Sequence, residues 1–186
     1  MTGNGDSDRE LFLVLRAQSG SHEALNDLFK LLQEPLFRYV RSLVKEQAHA
    51  EDVLQEVFFR IYRKLKWLRE PRALRPWAYQ IASREAFRFL RRDPSRIHKI
   101  VAEDELQQLP IENTDAQFSE ELIKRLPQLV EKLSPASRAV IVLYYLHELS
   151  LHETASVLEI PVGTVKSRLA YGLAALRRDL ANEFEE

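Results

Sequence analysis

The chain has 186 residues, with 27 lysines and arginines against 28 aspartates and glutamates, a formal charge of -1, and 45% hydrophobic residues. That length permits one ordinary domain or two small ones, and a charged content of 30% argues against both a membrane-embedded protein and a low-complexity polymer. Cysteine is absent, which excludes disulfides, thiolate nucleophiles and cysteine-ligated metal sites and makes the cytoplasm the expected location. Asp6, Asp8, Arg9 and Glu10 interrupt any apolar leader, and the longest uncharged apolar run, Ala139 to Leu146, is too short to span a bilayer, so no membrane insertion is expected.

In chain order, nearly every segment carries apolar residues at helical spacing, with few alternating β-branched runs and no Asn-Gly or Asp-Gly turn, so the expected fold class is all-α. Ser7-Asp8-Arg9-Glu10 reads as a capping box opening a helix that ends near Gly20. Helices over about Ser21 to Gln33 and Leu36 to Lys45 follow, divided at Pro35. Two longer helices are predicted from about His49 to Leu65 and from about Pro76 to Arg92, with a loop from Lys66 to Arg75 between them and Asp93-Pro94 as a stop. Glu103 to Glu121 holds seven acidic and no basic residues, with Pro110 and Asn113 and no apolar period of core-helix length. This acidic stretch reads as a flexible linker, and with linker bounds set at 98–117 the chain divides into two small helical domains, 1–97 and 118–186.

In the second domain a helix is predicted over about Phe118 to Leu133, kinked at Pro127, and Ser134-Pro135 caps another that reaches His147. Ser150-Leu151-His152-Glu153 is a second capping box. The short helix it opens, ending near Leu158, the turn Glu159-Ile160-Pro161 and a longer helix from about Val162 to Ala181 make a helix-turn-helix.

The neutral total hides a segregation of charge: residues 1–59 carry -4, 60–99 carry +10, 100–132 carry -5 and 133–186 carry -2. The basic block suits a polyanion, although a solvated surface also produces such runs. On the predicted helix Pro76 to Arg92, Trp77, Ala78, Ile81, Ala82, Ala86, Phe89 and Leu90 form the buried arc and leave Gln80, Arg84, Phe87, Arg88 and Arg91 outward. An aromatic among arginines fits base stacking beside phosphate neutralisation, while single exposed aromatics are also common. On the helix His49 to Leu65, Val53, Leu54, Val57, Phe58, Ile61 and Leu65 form the core face; Asp52, Gln55, Glu56 and Phe59 lie opposite and suit a protein-binding surface. The same element turns basic at Arg60, Arg63, Lys64 and Lys66. On the last helix Val165, Leu169, Leu173, Leu176 and Leu180 form an apolar stripe, with Thr164, Ser167 and Tyr171 opposite and Lys166 and Arg168 beside them. Small polar groups between two cations suit base reading with phosphate anchoring, and a surface helix of a bundle would show a similar pattern.

Catalytic chemistry finds little support. Glu46-Gln47-Ala48-His49 matches one Glu-x-x-His of a di-iron bundle without a second copy, His147-Glu148 and His152 have the wrong interval for His-Glu-x-x-His, and no Gly-rich phosphate loop is present. No cofactor, metal or catalytic residue is expected.

Together these features resemble the extracytoplasmic-function class of bacterial sigma factors. The match runs from about Ala24 to Leu180, and three stretches carry it in order: Ala50-Glu51-Asp52-Val53-Leu54-Gln55-Glu56-Val57-Phe58, Pro76-Trp77-Ala78-Tyr79-Gln80-Ile81-Ala82, and Ile160-Pro161-Val162-Gly163-Thr164-Val165-Lys166-Ser167-Arg168-Leu169. The resemblance implies core RNA polymerase and promoter DNA as partners, with an anti-sigma factor as a further one. It assigns Asp52, Gln55, Glu56 and Phe59 to the polymerase clamp. Arg63, Lys66, Gln80, Arg84, Phe87, Arg88 and Arg91 fall to the minus-ten element, where a flipped base is trapped. Thr164, Lys166, Ser167, Arg168 and Tyr171 fall to the minus-thirty-five element, with the linker threading toward the RNA exit path.

Two positions and one four-residue stretch depart from the resembled pattern. Arg84 stands where many relatives have Asn, Glu159 replaces a frequent turn Gly, and Ala170-Tyr171-Gly172-Leu173 lacks the usual basic residues. A weak or unusual upstream contact is therefore expected. The alternatives are an independent helix-turn-helix regulator, which would leave the face at Asp52 to Phe59 unused, and an all-α adaptor, which would leave the arginines without a role.

Overall fold

The computed structural model describes residues 4–92 and 129–184, with side chains over 7–92 and 129–178. The predicted linker 98–117 and the predicted helix from Phe118 through Pro127 lie outside the described residues. Within them are seven α-helices and no strand. The first unit comprises α1 (Asn4–Gln18), α2 (His22–Val44), α3 (Gln47–Lys64) and α4 (Leu74–Leu90); the predicted loop before α4 contains two 3₁₀ turns, Leu65–Trp67 and Pro71–Ala73. The second unit begins with a 3₁₀ turn, Val130–Lys132, and continues through α5 (Pro135–Ile141), a π-helical turn Val142–Leu146, α6 (Leu151–Leu158) and α7 (Val162–Phe184).

Two predicted boundaries are corrected. Helix α1 starts at Asn4, so Ser7 lies inside it rather than capping it. Helix α2 is one element that runs through Pro35, where the sequence reading divides it. The missing proline N–H and the ring clash cost about 3 kcal/mol. Against that, Leu28, Leu32, Leu36, Tyr39, Val40 and Leu43 lie on one buried stripe that spans the proline. Each such side chain contributes about 1.5–3 kcal/mol on burial, so packing keeps the helix continuous. Ser21 is the effective cap of α2, its Oγ accepting from the Ala24 N–H at 3.3 Å.

The expected caps of the second unit are present. Ser134 Oγ accepts from the Ser137 N–H, with Pro135 at the first helical position. Both halves of the Ser150 box form: Glu153 N–H donates to Ser150 Oγ at 3.2 Å, and Ser150 N–H donates to Glu153 Oε2 at 2.8 Å. Glu159 then ends α6 in the left-handed region at φ 57°, a conformation that favours glycine.

The two units pack together: α6 lies on α4, α5 lies on α2, and one apolar core runs through both. Tyr79, Ser83 and Glu85 are buried in addition to most of the predicted α4 arc, Ser83 against Tyr39 of α2 and Glu85 against Arg60 of α3. Tyr39 and Ser83 share a hydrogen bond of 2.7 Å, Ser83 Oγ donates to the Tyr79 carbonyl, and the Tyr79 hydroxyl lies 2.6 Å from His147 Nδ1. Arg138 of α5, only 1% exposed, donates to the Ser42 carbonyl at 2.7 Å, to Val130 at 2.7 Å, to Glu131 at 2.9 Å and to the Leu133 carbonyl. The last carbonyls of α2 lack helical partners and carry the negative end of its dipole, so a guanidinium suits them.

Candidate functional site

The exposed face of α3 is built from its 3.6-residue period. Val53, Leu54, Val57 and Ile61 are buried against the core, which turns Asp52, Gln55 and Phe59 to solvent. Phe59 is 53% exposed, and the Arg63 guanidinium lies 5.6 Å from its ring centroid. Tyr62, one turn further on, is also exposed, and Trp67 in the following 3₁₀ turn is 77% exposed. Neither was identified from the sequence, although Tyr62 lies three residues after Phe59 and shares its face. Glu56 is half-buried because it pairs with Arg60 at 3.0 Å and faces Arg88 at 3.6 Å.

That pairing fixes the relation of α3 to α4. Arg60 and Arg88 both reach the buried Glu85 at 2.5 Å, so the helices run antiparallel, with residue 60 beside 85 and residue 56 beside 88. The predicted basic face is thereby divided. Arg63 and Lys66 are exposed near the start of α4, whereas Arg91 is exposed past its end. Arg88 is held in the acidic pair. Phe87 is half-buried against the core, not outward as predicted, because α4 is covered by α2, α3 and α6 and its buried arc is wider than a one-sided helix requires.

Gln80 and Arg84 meet the second unit. Gln80 Nε2 donates to the Ser156 carbonyl and to Glu159 Oε1, each at 3.3 Å. Arg84 Nε donates to Glu159 Oε2 at 3.1 Å, and its Nη2 donates to Oε1. These bonds hold the Arg84 pKa above, and the Glu159 pKa below, their ordinary values.

On α7, Lys166 and Tyr171 are exposed, but Thr164, Ser167 and Arg168 are half-buried, so the predicted outward stripe is open only in part. Ser167 Oγ donates to the Thr164 carbonyl at 3.0 Å. Gly172 lies where α7 approaches α5: a Cβ there would come within 2.5 Å of Ile141 Cδ1. The Ala170 to Leu173 stretch therefore includes a packing position as well as surface. His49 pairs with Glu46 at 3.2 Å and packs its ring on Phe89, which accounts for the Glu-x-x-His spacing locally. Among the described residues, no three potential metal ligands gather and no helix is long and apolar enough to cross a membrane.

Comparison with known proteins follows this division into two units. Residues 28–95 match Sigma-70 region 2 and residues 129–178 match Sigma-70, region 4. The chain is 30% identical to the ECF RNA polymerase sigma factor SigW of Bacillus subtilis (strain 168), over 90% of this chain and 94% of that protein. It is 32% identical to the ECF RNA polymerase sigma-E factor of Escherichia coli (strain K12), over 84% and 86%. Its fold is similar to that of CnrH in complex with the cytosolic domain of CnrY, with a TM-score of 0.67 at 24% identity over 94% of this chain and 98% of that one. It is also similar to the sigma factor RpoE in complex with the anti-sigma factor NepR from Bartonella quintana, with a TM-score of 0.62 at 21% identity over 84% and 96%. With both sigma-70 regions in order and full-length relatives of one kind, the chain belongs to the ECF RNA polymerase sigma factors, alternative sigma factors that bind core RNA polymerase and promoter DNA to initiate transcription.

Proposed function

We propose that this sigma factor docks on core polymerase through the α3 face of Asp52, Gln55, Glu56 and Phe59, using residues 1–97 as one domain and 118–186 as another, joined by the linker 98–117. Arg63, Lys66, Gln80, Arg84, Phe87, Arg88 and Arg91 serve the minus-ten element, and Thr164, Lys166, Ser167, Arg168 and Tyr171 serve the minus-thirty-five element. The subunit performs no covalent chemistry: capture of unpaired bases and phosphate contacts offset the few kcal/mol that unstacking costs. It works in the cytoplasm, where its polymerase partner works, and an anti-sigma factor is its proposed inhibitor.

The observation that supports the docking face best is Phe59, an aromatic half in solvent beside exposed Asp52 and Gln55. An exposed aromatic ringed by polar groups suits an interface anchor, whose truncation typically costs about 2 kcal/mol, on the order of thirtyfold in affinity. Phe59→Ala is therefore expected to weaken binding to core polymerase by that factor and to suppress run-off transcription, with helicity by circular dichroism unchanged. Wild-type affinity for core would overturn the docking face.

A further inference from the structure

We propose that Glu159 is an intramolecular latch that adds to the packing of the second unit over α4 and keeps Gln80 and Arg84 from DNA until the two units separate. The proposal rests on the reading of α4 as a promoter-binding helix. Glu159 occupies a left-handed turn position at φ 57°, where glycine is the unstrained choice and any side chain is disfavoured. Its carboxylate nevertheless lies across the interface, accepting two bonds from the Arg84 guanidinium and one from the Gln80 amide. Two of the three departures from the resembled family pattern, Arg84 and Glu159, are thus each other's partners.

The chemistry of that contact is the chemistry of phosphate recognition. A guanidinium engages carboxylate and phosphate by the same two-pronged geometry, so Glu159 occupies the group on Arg84 that a DNA phosphate would use. Its negative charge also repels an approaching backbone. Arg84 and Glu159 are each about half exposed, at 48% and 51%. An exposed pair is weak and screened by salt, so the latch biases a closure that the shared apolar core and Arg138 also hold. Loss of such a pair shifts a closed-to-open equilibrium by about fivefold or less, and the apparent DNA affinity follows the open fraction.

The chain contains no cysteine, so dyes can be attached at two introduced ones on exposed sites, Gln33→Cys in the first unit and Ala174→Cys in the second. Glu159→Gly suits the turn's φ and should fold; it is expected to raise the open population by up to about fivefold, read as lower energy transfer between the dyes. It should also tighten binding of the free protein to a single-stranded promoter oligonucleotide by about the same factor. Arg84→Glu combined with Glu159→Arg should restore the closed distance. Unchanged energy transfer together with unchanged oligonucleotide affinity in Glu159→Gly would overturn the latch, and opening without a gain in DNA affinity would overturn its gating role. Arg91 lies outside the latch, so run-off transcription by Arg91→Ala holoenzyme tests the α4 reading separately. An unimpaired Arg91→Ala holoenzyme together with an opened Glu159→Gly protein would refute the DNA role of α4, and with it gating, while leaving the closure itself demonstrated.

Discussion

Charge alone does not tell which arginines on α4 hold the fold and which face a ligand. Arg88 shares the buried Glu85, 7% exposed, with Arg60, so one guanidinium remains when the other is removed. Because Arg88 is itself partly in water, the loss is discounted from that of a buried pair, and Arg88→Ala is expected to cost about 1–2 kcal/mol. Arg91 is exposed beyond the helix, and Arg91→Ala should leave the urea midpoint unchanged. If Arg91 holds a phosphate in the holoenzyme, its loss should reduce the slope of log affinity against log salt by about one. The two variants together separate a cation that also supports the fold from one that serves DNA alone. Equal losses of stability would overturn this division.

At the scale of the helices, signals contained within a few residues were legible and those that depend on a neighbour were not. The Ser150 box and the Ser134 cap could be read because cap and partner lie three residues apart. Pro35 was misread because its local preference is overridden by the stripe from Leu28 to Leu43, whose burial depends on other helices. Phe87 was misplaced for a related reason, since periodicity shows which side is apolar but not how many elements cover it. Pro35→Ala restores a donor to α2 without disturbing that stripe, and the gain exceeds the added freedom of the unfolded chain. It is expected to stabilise the protein by about 2 kcal/mol, measured by chemical unfolding, and a destabilised variant would show that the proline fits better than its missing bond suggests.

Across the whole molecule the least legible feature was the contact between the units, because Tyr79, His147 and Arg138 find their partners 68 to 96 positions away. The family resemblance pointed to two regions and their order, while their packing depends on side chains that look unremarkable in the sequence. Arg138→Met would fill the space but leave the carbonyls at the end of α2 and near Val130 without their donor, at a cost of about 3 kcal/mol in unfolding. The same interface carries a dependence on pH. Burial first, then the positive charges of Arg75 and Arg38, push His147 down to about 4, while its ring packs against Tyr39 and Tyr79. An imidazole whose folded value lies below its unfolded value of 6.5 binds fewer protons in the closed state, so closure is fully supported above that value and weakens as pH falls toward 4. The whole effect is about 3 kcal/mol, approached only below pH 4, and more than half of it accrues by pH 5. Unfolding free energy measured from pH 7.5 to 5 should therefore decline in the wild type and decline less in His147→Gln, which cannot take up the proton. Parallel profiles for the two proteins would show that His147 is not the group that senses acid at this interface.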